Sequence, residues 1–96
     1  MRIIITNHAR DRIMERVKCS PDKVEKLVHK AWKYGTEPSQ WFMIRREMFQ
    51  HNKWTTFKVF MGGVFSFVRH SPKSNVLILT TCLNYNHEYK KVHKHD

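Results

Sequence analysis

Apolar and polar positions along the chain predict a strand, two helices and then a run of strands. The first strand is the β-branched run RIII at residues 2–5. In the segment that follows, an apolar stripe recurs at helical spacing: Ala9, Ile13 and Val17. Thr6 or Asn7 can cap this helix, because a short polar side chain accepts a hydrogen bond from a free amide at the helix start.

A row of basic residues borders this apolar stripe. His8, Arg12 and Arg16 are spaced by four residues, and they lie on the arc beside the stripe rather than opposite it. We therefore expect them to line the groove between the helix and the surface on which it packs.

The segment SPDKVEKLVHKAWKYG, residues 20–35, predicts the second helix. Ser20 suits the N-cap, Pro21 the first helical position and Gly35 the C-terminal stop. Its apolar residues fall within one arc and are expected to face the core: Val24, Leu27, Val28, Ala31 and Tyr34.

The rest of the chain changes to a β pattern. Strands are predicted over residues 54–61, 64–70 and 76–83. Gly62 and Gly63 predict a two-residue turn between the first two, and the nearly continuous apolar run of the third indicates a central strand. Residues 36–52 give no clear prediction.

These elements predict an α+β fold. We expect an N-terminal strand and two helices packed on one face of a small antiparallel sheet of about four strands. The elements form a single domain over residues 1–85, and the polar residues 86–96 predict a flexible tail.

The charge of the chain indicates an anionic partner. Its 96 residues include 18 Lys and Arg against 8 Asp and Glu, which gives a net charge of +10 and a pI of about 10.0. Such an excess favours nucleic acid first, and an anionic membrane surface or an acidic protein second.

The cysteines and the apolar runs indicate the cellular compartment in which the protein is expected. Cys19 and Cys82 form no CxxC pair, and no apolar run is long enough for a signal peptide or a membrane span. We therefore expect free thiols and a soluble, cytoplasmic protein with no membrane partner.

Several common catalytic motifs are missing from the sequence. It has no HExxH, no zinc-finger cysteine spacing, no GxSxG and no Walker loop. The tail histidines His87, His93 and His95 are typical of a solvated cluster, and the few carboxylates are scattered among lysines. We expect neither a metal site nor a cofactor.

The remaining candidate chemistry combines histidine, arginine and hydroxyl side chains. Cleaving RNA without a metal needs a base for the 2′-hydroxyl proton, an acid for the leaving 5′-oxygen and cations for the phosphorane. His8 can serve as the base, arginines bind phosphate oxygens bidentately, and Thr80 or Thr81 of the last strand can add a hydroxyl. The alternative from residue types alone is a solvated basic helix edge with ordinary strand threonines.

The stretches HARDRIMER and LILTT resemble the motifs of a known class. The first is similar to the HAxxRxxER signature of small toxin-like proteins from phages, plasmids and bacterial chromosomes. These belong to the broad barnase/EndoU/colicin tRNase/RelE class of metal-independent RNases. The resemblance implies a RelE/barnase-like fold, with His8 as the general acid/base and Thr80 as a hydroxyl lining the site. It also implies that Arg12 and Arg16 are phosphate ligands.

Other basic residues are candidates for binding the nucleic-acid backbone. Arg10 stands at a position that is often basic in the resembling motif, and a solvated helix face is the alternative for the lysines. The candidate nucleic-acid-binding residues are Arg10, Lys23, Lys26, Lys30, Lys33 and Arg69.

The function expected from these observations is RNA cleavage by a small endoribonuclease-like hydrolase. A toxin with a protein antitoxin is the narrower version. One alternative is a non-catalytic nucleic-acid-binding module, in which Trp41, Trp54 or Phe65 would stack on bases while lysines follow the phosphates. Another is a phage-type effector that binds and modulates a host protein through its basic surface.

Overall fold

The computed structural model describes residues 2–39, 54–69 and 71–84 of the chain. The elements are β1 (Arg2–Ile5), α1 (Asn7–Arg16), a 3₁₀ turn (Pro21–Lys23), α2 (Val24–Tyr34), β2 (Thr55–Phe60), β3 (Gly63–Val68) and β4 (Val76–Asn84). The predicted α+β class is confirmed. Most of the segment without a prediction, and the predicted tail, lie outside the described residues. No helix in the described part is long and apolar enough to cross a membrane.

The sheet is mixed, which corrects the prediction of an antiparallel sheet. Its strand order is β1-β4-β3-β2. The last three strands in the chain pair antiparallel, but β1 pairs with β4 in parallel, from Arg2 opposite Val76 to Ile5 opposite Leu79. An apolar pattern identifies strands without giving their direction, and a parallel neighbour needs a long crossover, which here contains both helices. The prediction that the last strand is central is confirmed, because β4 lies between β1 and β3.

Both helices pack on one face of the sheet, α1 over β4 and α2 over β2. The core between these layers contains Ala9, Ile13, Val24, Val28, Ala31, Phe65, Phe67, Leu77, Leu79 and Cys82. Half-buried Trp32 extends this core, with its ring edge-to-face against Phe67 at 5.1 Å between centroids. Tyr34 is instead 62% exposed, which corrects its predicted core position. It lies about 90° around the helix from the centre of the arc that α2 buries.

Both ends of α2 differ in detail from the prediction. The Lys23 amide donates to the Ser20 carbonyl at 3.0 Å, and the Ser20 side chain makes no capping hydrogen bond. The predicted stop at Gly35 is confirmed, but its φ of −66° needs no glycine. A Cβ there would clash with the Ala31 carbonyl oxygen and lie 2.9 Å from Lys58 Cβ. Gly35 is therefore required by the close approach of β2 to the end of α2.

The turn between β2 and β3 lies one residue earlier than predicted. Met61 and Gly62 are its central residues, with φ of 52° and 79°, the positive pair that a two-residue hairpin turn favours. Gly63 is instead the first residue of β3, where a Cβ would lie 2.8 Å from Cys82 Sγ and 3.2 Å from Val17 Cγ2. Its missing side chain lets the end of α1 pack directly on the sheet.

Gly63→Ala is expected to lower the free energy of unfolding by about 2 kcal/mol, because the added methyl group overpacks this contact. Cys82→Ala removes the nearest obstacle, so the double variant should lose less stability than the two single losses combined. Urea unfolding of the four proteins measures the coupling. Strictly additive losses would contradict the close packing of Gly63 on Cys82.

Met61→Asn is expected to raise the free energy of unfolding by about 0.5 kcal/mol, since asparagine accepts a positive φ at lower cost than methionine. Met61 is 68% exposed, so the substitution removes little packing. Met61→Val is the matched control and should lower stability, because a β-branched side chain is strained at this φ. Thermal unfolding of both variants is the measurement, and a less stable asparagine variant would contradict the turn.

Candidate functional site

Thr6 fixes the start of α1 on the sheet. Its hydroxyl oxygen accepts a hydrogen bond from the Ala9 amide at 3.1 Å and donates to the Leu79 carbonyl of β4 at 3.1 Å. The Thr6 amide donates to the same carbonyl at 3.3 Å. Of the two capping residues that the sequence allowed, Thr6 is the one used. The helix cap is therefore also a link to β4, and it holds the first turn of α1 against that strand.

His8 meets a hydroxyl of β4 at this end of the helix. His8 Nε2 and Thr81 Oγ1 are 3.3 Å apart, although the two residues are separated by 73 positions in the chain. The imidazole is exposed, and which of the two atoms donates depends on the histidine tautomer. The geometry thus joins a titratable ring to a hydroxyl where solvent and ligands have access.

A bulge in β4 separates the two threonines that the sequence put forward. Ser66 pairs with Thr81 and Phe67 with Leu79, so Thr80 is an extra residue in the β3–β4 ladder. The Thr80 hydroxyl donates to Ser66 Oγ at 3.1 Å. The structure therefore places Thr81 beside His8, and it places Thr80 beside Ser66. The two threonines were identified because they interrupt the apolar run of the last strand, but nothing in the sequence predicted the bulge.

The two arginines of the predicted row differ in their surroundings. Arg12 Nη1 lies 3.1 Å from Glu15 Oε2 in an exposed ion pair. Arg16 is half-buried, and its buried Nε has no hydrogen-bond partner in the described part of the chain. Arg12 and Arg16 follow His8 by one and two helical turns, roughly 6 and 12 Å along the axis. Arg12 is therefore the nearer of these two arginines to an anion bound at His8.

The predicted nucleic-acid-binding residues lie on α1, in the 3₁₀ turn, on α2 and directly after β3. Arg10 Nη2 lies 3.6 Å from Glu25 Oε1 and joins α1 to α2. Arg69 directly follows β3, where its amide donates to the Trp54 carbonyl at 3.2 Å. The lysines of the 3₁₀ turn and of α2 are all exposed: Lys23, Lys26, Lys30 and Lys33.

Two of the three aromatics proposed above for base stacking, Phe65 and Trp54, are partly or wholly buried. Phe65 is fully buried in the core, so its predicted role in stacking on bases is wrong. Trp54 is half-buried, and Trp41 lies outside the described residues. Phe65 is therefore excluded as a stacking ring, and Trp54 offers only part of its surface.

The buried thiol of Cys82 is not a candidate nucleophile, and the described residues contain no clustered metal site. Burial raises the pKa of the Cys82 thiol to about 12, with the nearby Arg16 charge acting in the opposite direction and Cys19 adding to the rise. The thiol is therefore protonated near neutral pH and is a poor nucleophile. Residues 2–39, 54–69 and 71–84 contain no group of three His, Cys, Asp or Glu side chains placed to hold a metal ion.

Comparisons with known proteins add no relative on which to base a function. No family model matches the chain, and no curated protein or solved structure shows significant similarity to it. The resemblance of HARDRIMER to the toxin-like signature therefore stays a hypothesis.

Thr81→Val and Thr80→Val form a matched pair that separates the two hydroxyls. Thr81→Val should change the free energy of unfolding by less than about 0.5 kcal/mol, because its contact with His8 is exposed. Thr80→Val should lower it by about 1–2 kcal/mol, because Ser66, which is only 7% exposed, loses its hydroxyl partner.

Chemical denaturation measures these stabilities, and NMR of the imidazole nitrogens measures the tautomer of His8. We expect the nitrogen shifts of His8 to change with Thr81→Val and to stay as in the wild type with Thr80→Val. The reverse pattern would contradict the placement of the two threonines.

Proposed function

We propose that this chain is a small basic protein that cleaves RNA by metal-independent acid/base catalysis, with His8 as the catalytic residue. The observation that carries the proposal is the 3.3 Å contact between His8 Nε2 and the Thr81 hydroxyl. This contact joins an imidazole, a hydroxyl and the anion-attracting start of a helix at one accessible point. The net charge of +10 supports RNA as the anionic substrate.

In the proposed reaction, His8 Nε2 accepts the proton of a ribose 2′-hydroxyl. The 2′-oxygen attacks the adjacent phosphorus, the bond from phosphorus to the 5′-oxygen breaks, and the leaving oxygen takes a proton from the imidazolium or from water. The products are a 2′,3′-cyclic phosphate and a 5′-hydroxyl. Because Thr81 occupies Nε2 in the free protein, the substrate hydroxyl replaces it there.

Arg12 and Arg16 are proposed as ligands of different phosphates. Arg12 is one turn from His8, so its guanidinium can stabilise the charge that develops on the reacting phosphate. It must leave Glu15 to do so, at a small cost, because exposed ion pairs contribute about 0–1 kcal/mol. Arg16, two turns away, suits a neighbouring phosphate of the same strand.

A toxin of RelE/barnase-like fold, held inactive in the cytoplasm by a protein antitoxin, is the narrower form of this proposal. Its support is the match of HARDRIMER, residues 8–16, to the HAxxRxxER signature. A non-catalytic nucleic-acid-binding module is the second candidate function. The exposed lysines of α2 favour this module, since cations that follow a phosphate backbone bind it without cleaving it.

His8→Ala is expected to lower the rate of RNA cleavage by at least about 100-fold, because the reaction loses its general base. The measurement is cleavage of a fluorescent single-stranded RNA by the purified chain in the presence of EDTA. Mass spectrometry of the products should show 2′,3′-cyclic phosphate ends.

Two controls make this result specific. An otherwise identical oligonucleotide with a single 2′-deoxyribose at the cleaved position should resist the wild-type protein there, and thermal unfolding should show that His8→Ala keeps the fold. If the wild type binds RNA and cleaves none, the binding module is the better account. Equal cleavage by His8→Ala and wild type would remove His8 from the mechanism.

A further inference from the structure

The outer face of α2 carries an open groove of about 450 Å³ that plays no part in the site at His8. The described residues that line it follow one another along a stripe of the helix: Glu25, Lys26, His29, Lys30, Lys33 and Tyr34. All six are exposed, so the groove is open to large ligands.

The charge of this groove is strongly positive. Three of its described lining residues are lysines, and the carboxylate of Glu25 is partly offset by Arg10 at 3.6 Å. Lys26 and Lys30 make no ion pair with any described residue, so their charges are available to a ligand. Ammonium groups spaced along a helix suit the repeated phosphates of a nucleic-acid backbone.

Tyr34 adds an aromatic surface to this charged groove. The residue is 62% exposed, and Lys33 Nζ lies 5.2 Å from the centroid of its ring. An exposed ring beside lysines is the combination with which proteins bind single strands, because an unpaired base can stack on the ring while cations follow the backbone. The paired bases inside a duplex do not offer their faces to such a ring.

We infer that the α2 groove binds single-stranded nucleic acid, with Tyr34 as the stacking platform and Lys26, Lys30 and Lys33 as phosphate ligands. The identity of the strand as RNA rests on the proposed function, whereas the binding itself requires no cleavage. The groove is then a second contact for the substrate, which fixes a flanking nucleotide away from His8.

The stacking role is tested with Tyr34→Leu and its matched control Tyr34→Phe. The probe is a fluorescein-labelled 12-nucleotide 2′-O-methyl oligouridylate, which the 2′-hydroxyl chemistry proposed above cannot cleave, and affinity is measured by fluorescence anisotropy. Tyr34→Leu should weaken binding roughly 10-fold, and Tyr34→Phe should bind like the wild type, because base stacking needs the ring and not the hydroxyl. A duplex of the same length should show no difference among the three proteins.

The phosphate role is tested with Lys26→Gln/Lys30→Gln against the equally charged control Lys18→Gln/Lys73→Gln. The groove variant should reduce the slope of log K against log salt by about 1.4, and the control should reduce it by much less. Equal slopes for the two double variants, or equal affinities for Tyr34→Leu and wild type, would overturn the inference. Neither measurement depends on His8. The α2 groove can therefore bind single strands even if the chain does not cleave RNA, and the chain can cleave RNA even if this groove does not bind the strand.

Discussion

The position of the candidate site depends on one side chain, the hydroxyl of Thr6. β1 ends at Ile5 and α1 begins at Asn7, so Thr6 is the whole connection between them. Its oxygen accepts the Ala9 amide and donates to the Leu79 carbonyl, which ties the helix start to the central strand β4. A residue without a hydroxyl would lose the cap and the side-chain hydrogen bond to β4 together, and would keep only the backbone hydrogen bond to Leu79. Because no loop separates β1 from α1, this hydroxyl and the packing of Ala9 and Ile13 on the sheet together set the direction of α1, and with it the position of His8.

A second local irregularity completes the site from the opposite side. The bulge at Thr80 interrupts the regular alternation of β4, so that Leu79 and Cys82 both join the core although they are three residues apart. The same extra residue separates the roles of the threonines, with one hydroxyl held by Ser66 and the other free to meet His8. Bulges commonly redirect side chains in this way beside functional sites.

The sequence predicted what local periodicity controls and missed what tertiary pairing controls. The buried stripe of α1, the cap before it and the central position of β4 follow from apolar spacing and side-chain chemistry. The parallel pairing of β1 and the bulge depend on residues distant in the chain, and a local sequence pattern contains no information about such partners. Tyr34 fails for a related reason, because the neighbouring elements decide which edge of an apolar arc is covered, and here Trp32, on the opposite edge of α2, packs on Phe67. For the candidate site, the sequence identified the histidine and the strand that lies beside it, but it did not identify which of the two threonines the histidine contacts.

The basic residues of α1 and α2 differ in whether they have carboxylate partners. On α1, Arg10 and Arg12 each have a glutamate partner, whereas the lysines on the outer face of α2 have little compensation in the described part of the chain. Uncompensated surface charge attracts an anionic strand over distances near the Debye length, about 8 Å at physiological salt. A guanidinium held by a carboxylate contributes less to that attraction, but it stays oriented and can exchange its partner for a phosphate. Such a division suits a protein in which α2 captures the strand and α1 positions one phosphate of it.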